Sequence, residues 1–223
     1  MAGRAEDTPP PQHGFAGEPP LRIGVLAIQG DFEAHATALH RLGAEPVQVR
    51  RPGQLTSLDG LVIPGGESTT ISMGLDAYGL EQPIKDFVAG GGAVFGTCAG
   101  LIVLDRAHLG LIDIDARRNA FGRQLHSFEA DVAIRGLGDE PVRAVFIRAP
   151  WIEAVGEGVD VLAEVDGHPV VARQRNILVA AFHPELTDDL RLHAYFLALA
   201  AEKTSSCPQP DLRLAGGRRS FQS

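Results

Sequence analysis

Residues 93–104 read AVFGTCAGLIVL, and this stretch decides the fold. Ala93-Val94-Phe95 is an apolar run of the kind that forms a buried strand. It meets Cys98 wedged between small residues, Gly96-Thr97-Cys98-Ala99-Gly100, and a second apolar run, Leu101-Ile102-Val103-Leu104, follows directly. A strand that turns this abruptly into a helix strains the residue at the apex and tolerates only small neighbours two positions to either side. Gly96 and Gly100 meet that requirement. In open α/β sheets reactive groups gather at the carboxyl ends of the strands. The positive end of a helix also favours an anion at its mouth. Cys98 is therefore a candidate nucleophile, set against the alternative of a buried cysteine serving as a small hydrophobe.

Outward from this corner the same alternation continues. Residues 21–28, LRIGVLAI, form a continuous apolar run typical of a strand buried on both faces. Asp31 is placed to cap a helix reaching residue 42, with Phe32, His35, Ala36 and Leu39 at helical spacing and Gly43 as its stop. Residues 46–50 and 61–63 read as strands, and 80–89 as a helix that ends before Gly90-Gly91-Gly92. Strand and helix in turn predict an α/β fold with a parallel sheet. The later half changes character: 126–134, 142–148, 159–165 and 169–182 are strand-like with short turns, predicting antiparallel additions, before a closing helix over 190–202. The pattern predicts one domain over 21–202, a disordered Pro- and Gly-rich leader over 1–20 and a disordered tail over 203–223.

Of 223 residues, 44% are apolar, enough for one core, and no apolar run approaches the about 18 residues that span a bilayer. Twenty basic against 28 acidic residues give a net charge of −8, which argues against a general affinity for nucleic acid or anionic membrane. The arginines at 213, 218 and 219 read as part of a solvated tail. Two cysteines, at 98 and 207, make no disulfide framework, so a reducing, cytoplasmic setting is expected, and Cys207 is given no role.

A nucleophilic cysteine needs a base, and the base needs an orienting group. Of eight histidines one stands out: Val179-Ala180-Ala181-Phe182 reads as a buried strand that runs into His183-Pro184-Glu185. If that segment is extended, His183 and Glu185 point to the same side and approach Cys98 together. His35 and His193 lie in helical patterns and read as packing or surface residues, while His108 has no carboxylate at comparable spacing in an extended run. An oxyanion site is offered by Leu61-Val62-Ile63-Pro64-Gly65-Gly66-Glu67-Ser68, a strand ending in two glycines whose N–H groups are free to face a cleft. No Gly-Lys-Ser/Thr follows, so it is not a nucleotide loop.

In that order, PGGES, GTCAG and HPE resemble the triad (class I) glutamine amidotransferases, and most closely the family of glutaminase subunits of pyridoxal 5′-phosphate synthases. IGVLAIQGD, GLVIPGGESTTIS, FGTCAG, RRNAFGRQ, SFEAD, VFIRAPWIE and AFHPELT all look like that family's blocks, in its order, over roughly 21–202. The resemblance implies a three-layer, flavodoxin-like fold with a mostly parallel central sheet. It implies Cys98 as nucleophile, His183 as base and Glu185 as its orienting carboxylate. Gly66, Glu67, Ser68, Arg118, Ile147 and Arg148 are implied to line a pocket for L-glutamine, with the Gly66 and Ala99 N–H groups as the oxyanion hole. It implies hydrolysis of L-glutamine to glutamate through a γ-glutamyl thioester, with no metal and no cofactor. The ammonia passes to a separate synthase subunit that makes pyridoxal 5′-phosphate, and the free glutaminase is poorly active until that partner completes the oxyanion site. Gln29, in the IQG corner, is expected near that contact.

Two departures stand out. The connection from Leu104 to His108-Leu109-Gly110 is several residues shorter than in the family, and His126 replaces an acidic residue before Ser127-Phe128-Glu129. The triad alone would also serve a glutaminase of another pathway, or a related hydrolase of γ-glutamyl bonds; RRNAFGRQ, SFEAD and VFIRAP favour the first reading. The short connection leaves open a catalytically impaired subunit that binds a partner.

Overall fold

The computed structural model describes residues 19–118 and 127–206. Among them the order is β1 (Arg22–Leu26), α1 (Phe32–Arg41), β2 (Glu45–Val49), β3 (Gly60–Ile63), α2 (Ser68–Ala77), α3 (Glu81–Ala89), β4 (Ala93–Thr97), α4 (Ala99–Leu104), β5 (Ile114–Arg117), β6 (Ser127–Val132), β7 (Val142–Ile147), β8 (Trp151–Val155), β9 (Asp160–Val165), β10 (His168–Gln174), β11 (Ile177–Ala180) and α5 (Arg191–Ser206). Short 3-10 turns lie at Pro52–Leu55 and Pro184–Leu186. The leader to residue 18, the segment from Asn119 to His126 that holds most of the RRNAFGRQ block, and the tail with Cys207 lie outside the described residues.

Seven strands form one sheet in the order β2-β1-β3-β4-β11-β10-β9, parallel from β2 to β11 and antiparallel at β10 and β9. The run 2-1-3-4 is the flavodoxin-like winding that the family resemblance implies. The antiparallel pairs β5–β8 and β6–β7 stand apart as small sheets.

The pleat of β4 divides the layers. Phe95 points to one face and meets the rings of His193 and Phe196 on α5 and of His35 on α1. Gly96 points to the other, where a Cβ would lie 2.6 Å from Leu104 and 2.8 Å from the main chain of Gly100, both in α4. Helices on both faces bury β4 completely, along with Val62, Ile63, Val179 and Ala180 of its neighbours. At about 25 cal/mol per Å2 of apolar surface, such double burial dominates the folding energy.

Three features differ from the sequence expectations. The run 169–182 is two strands, because Arg175 takes a positive φ of 53° and turns β10 back on β11. As a result β11 is parallel to β4 rather than an antiparallel addition. Helix α2 was not expected, since Ser, Thr, Ile and Gly in STTISMGLDA have weak helix propensity. It is secured by the Glu67 carboxylate, which accepts from the Thr69 and Thr70 N–H groups at 3.1 and 2.7 Å. Strands β5 and β8 were also missed, being only four and five residues long.

Candidate active site

β4 ends at Thr97 and α4 begins at Ala99, which leaves Cys98 alone to make the corner, at φ 47° and ψ −105°. A non-glycine residue held there costs about 1–3 kcal/mol, so its surroundings must hold it. The Cys98 N–H donates to the Ala180 carbonyl of β11 at 2.8 Å. Gly96 packs against Gly100, whose own Cβ position is occupied by the Ile63 carbonyl of β3. Small residues two to either side of the cysteine are therefore a steric necessity, as the sequence predicts. The Sγ lies 4.0 Å from the Ile147 carbonyl oxygen, which brings the Ile147-Arg148 pair to the nucleophile. Arg148 itself is exposed, with a positive φ of 45°.

His183 arrives from the neighbouring strand. Phe182 is fully buried at the end of β11, and the His183 N–H donates to the Val145 carbonyl at 2.9 Å. The expected extended run from His183 to Glu185 is not what forms: Pro184–Leu186 is a 3-10 turn, favoured by proline at its first position. The turn performs the same task, folding Glu185 back so that Oε1 lies 2.7 Å from His183 Nδ1. With Nδ1–H donated to the carboxylate, Nε2 is the nitrogen left for Cys98. Gly65 closes the other side of the pair. A Cβ there would lie 2.9 Å from His183 Nδ1 and 3.2 Å from Cys98 Cβ.

Burial works against a charge on His183, but the hydrogen bonds and charges of Cys98 and Glu185 outweigh it and push the imidazole up to about 10. Burial likewise pushes the Glu185 carboxyl up, and the interactions with His35 and His183 more than reverse this, holding it below the usual carboxylate range. His183 is thus an imidazolium at neutral pH. Its folded value exceeds the ordinary 6.5, so the stability it lends is complete below about pH 6.5 and is lost as pH rises through about 10. In Cys98→Ala the sulfur's share disappears, and His183 is expected to titrate well below the wild-type protein. Proton NMR of the imidazole Cε1–H reads this directly, and an identical titration in the two proteins would sink the pairing.

The other residues expected in the pocket lie after β3, after β5 and at the start of α4. Gly66 and Glu67 are exposed at the end of β3, and Ser68 is buried at the start of α2. The Glu67 carboxylate is committed to capping α2, with the Thr70 hydroxyl donating to it as well, and these bonds lower it to about 2. Its N–H donates to Gln29 Oε1 at 2.6 Å, and the Gln29 amide fills the space where a Gly66 Cβ would stand. Gln29 from the β1 corner therefore lies over the glycine loop. Arg118 reaches the same region by donating to Thr69 Oγ1 at 3.2 Å, and its other nitrogen meets His108 Nε2 at 3.2 Å. Ala99 is buried at the first position of α4, beside the nucleophile.

Four residues make contacts that the sequence did not show. His35 and His193 are packing residues, wholly buried: His35 Nε2 lies 3.2 Å from Glu185 Oε2, and its Nδ1 lies 3.0 Å from His193 Nε2. His108 has no carboxylate in an extended run, but Asp105, three residues back in a turn, bonds its Nδ1 at 2.7 Å. Asp105 also accepts from the Ala107 and His108 N–H groups and from Ala116 N, so this one buried carboxylate organises the shortened connection after α4. Its signal in the sequence was an apolar helix ending on a lone aspartate. Among the described residues no cluster of His, Cys, Asp or Glu is arranged to hold a metal ion, and no helix is long and apolar enough to cross a membrane.

A family model of the SNO glutamine amidotransferases matches residues 25–202. The chain is 54% identical over 189 residues to the pyridoxal 5′-phosphate synthase subunit PdxT of Niallia circulans, an alignment covering 82% of this chain and 99% of that protein. A crystal structure of a glutamine amidotransferase superposes with a TM-score of 0.77 at 48% identity, covering 80% of this chain and 98% of the other. PurLQS from Thermotoga maritima shares the fold alone, with a TM-score of 0.65 at 16% identity over 80% of this chain and 98% of that one.

Proposed function

The chain belongs to the SNO glutamine amidotransferase family, and on that premise we propose that it hydrolyses L-glutamine as the glutaminase subunit of a pyridoxal 5′-phosphate synthase. The observation that carries this reading is the strained Cys98 corner with the His183–Glu185 pair beside it.

The Cys98 sulfur attacks the side-chain carbonyl carbon of glutamine; a C–S bond forms and the carbonyl electron pair moves to oxygen. The Gly66 and Ala99 N–H groups hold that oxyanion. When the carbonyl re-forms, the C–N bond breaks and His183 Nε2–H protonates the departing nitrogen, releasing ammonia and leaving a γ-glutamyl thioester. His183, now neutral, takes a proton from water as the hydroxide attacks the thioester. The C–S bond breaks, glutamate leaves, and the thiolate–imidazolium pair is restored. Glu185 keeps the imidazole in the tautomer that both steps need.

Arg118 and Arg148 supply the positive charge for the substrate's α-carboxylate, and Ser68 and the main chain at Gly66, Glu67 and Ile147 orient the rest. Glu67 acts through its backbone, because its carboxylate is taken by α2. The ammonia passes to the synthase subunit. Thiol chemistry needs a reducing compartment, and we place the protein in the cytoplasm.

The test is glutamate and ammonia release from glutamine with and without added synthase subunit. Release that rises sharply with the partner supports the reading. No release from a folded chain bound to the synthase would overturn it in favour of a partner-binding subunit without catalysis.

A further inference from the structure

Behind the triad lies a group that the mechanism above does not use. His35 on α1 is fully buried among Thr97 of β4, His193 of α5 and Glu185 of the 3-10 turn. Its Nε2 is 3.1 Å from Thr97 Oγ1 and 3.2 Å from Glu185 Oε2. That oxygen is fully buried and has no aligned hydrogen bond, as its partner Oε1 has with His183.

A proton inventory decides which way the imidazoles face. Burial holds both His35 and His193 below their ordinary values, His193 at about 3, so each carries one ring proton. One proton lies between His35 Nδ1 and His193 Nε2. If His35 supplied it, the second proton of the pair would sit on His193 Nδ1, which has no hydrogen-bond partner. The lone pair of His35 Nε2 would then also face the carboxylate oxygen. If His193 supplies it, the unpartnered atom is a bare acceptor and His35 Nε2–H is shared between Thr97 and Glu185. The second arrangement avoids both an orphaned buried donor and a repulsive contact. The other charges acting on His35 are Asp31, at the cap of its own helix, and His183.

We propose that His35, with its proton on Nε2 and held by His193, is a positioning residue that fixes Glu185 Oε2 and thereby keeps Oε1 on His183. The chain His193–His35–Glu185–His183 runs from α5 to the nucleophile. Without it, a buried carboxylate has one anchored oxygen and is free to rotate away from His183 or to take up a proton. The proposal rests on the glutaminase reading for its kinetic consequence, not for its geometric one.

The experiment compares wild type, His35→Leu and His35→Gln as full-length chains in complex with the synthase subunit. His35→Leu removes the donor, and His35→Gln keeps one. His35→Leu is expected to lower kcat by about tenfold to a hundredfold, the usual loss when an outer-shell partner is removed, with the KM for glutamine within about twofold of wild type. His183, read by NMR in the isolated chain, is expected to titrate lower, and His35→Gln to restore most of both quantities. A folded His35→Leu that turns over at the wild-type rate overturns the proposal. So does a His35→Gln as impaired as His35→Leu with His183 titrating as in wild type, because the role is then packing. Should His35→Leu fail to fold, His35→Asn, too short to reach Glu185, takes its place. If wild type hydrolyses no glutamine, the glutaminase reading fails alone, and the His183 titration still decides the role of His35.

Discussion

Cys98→Ala is expected to lose glutamine turnover by about a thousandfold or more, the scale seen when a catalytic nucleophile is removed, while the chain still folds and still binds the synthase subunit. Cys98 is the one group at this corner whose sulfur can form the thioester, and it sits on the one residue between β4 and α4. Alanine occupies the same backbone. The strain at φ 47° remains, the Cys98 N–H bond to Ala180 remains, and the small void left by one sulfur atom is modest. What disappears is the sulfur that raises His183. Mass spectrometry of the complex with glutamine trapped at low temperature reads the thioester, and ammonia release reads turnover. Wild-type-like release from Cys98→Ala would remove Cys98 from the chemistry altogether.

Gly100→Ala is expected to act on the fold instead, at a cost of about 3 kcal/mol or more, in the range of severe overpacking. Two effects oppose each other. Gly100 lies inside α4, where alanine gains about 1 kcal/mol of helix propensity. Against this, the added methyl would stand on the Ile63 carbonyl oxygen and 2.9 Å from its carbon. Ile63 belongs to β3, which is paired to β4 from Gly60 to Ile63, so this carbonyl cannot retreat without breaking the ladder. The steric cost therefore exceeds the propensity gain. Gly53→Ala is the control, with nothing within 4 Å of its new Cβ, and should change stability by no more than about 0.5 kcal/mol. Urea unfolding compares the two, and a Gly100→Ala midpoint equal to wild type would refute the close approach.

The alternation of strand and helix was legible because its signals are local. Continuous apolar runs at 21–28, 61–63 and 93–95 state double burial, and Asp31 and Gly43 bracket α1 within its observed Phe32–Arg41. The order 2-1-3-4 did not follow from those units; it was implied by the family resemblance, and the structure has it. The break at Arg175 was not legible, since an arginine carries no mark of a positive φ. Helix α2 was hidden for the opposite reason. Its propensity is poor, and a glutamate reserved in the reading for a substrate is spent on its cap.

For the site, Cys98, His183 and Glu185 were legible from the small-residue corner and the His-Pro-Glu run. The geometry that joins them was not: Glu185 reaches His183 through a 3-10 turn, where an extended run was expected. His35 was the larger omission. It stands 158 positions from His193 and 150 from Glu185, and on its helix it shares the spacing of ordinary packing residues. Nothing in its neighbours along the chain distinguishes it from an ordinary packing histidine.

The sequence by itself determined the strands β1 to β4, the corner after β4 and the side chains able to react there, because hydrophobic period, glycine spacing and side-chain chemistry act over a few residues. The tertiary structure alone decided which groups surround those atoms. Burial of His35, His193 and Glu185 together, and the approach of Cys98 to His183, arise from contacts between segments far apart in the chain. Charges and hydrogen bonds are set by what lies within a few ångströms in space, and the order of residues along a strand does not state that distance.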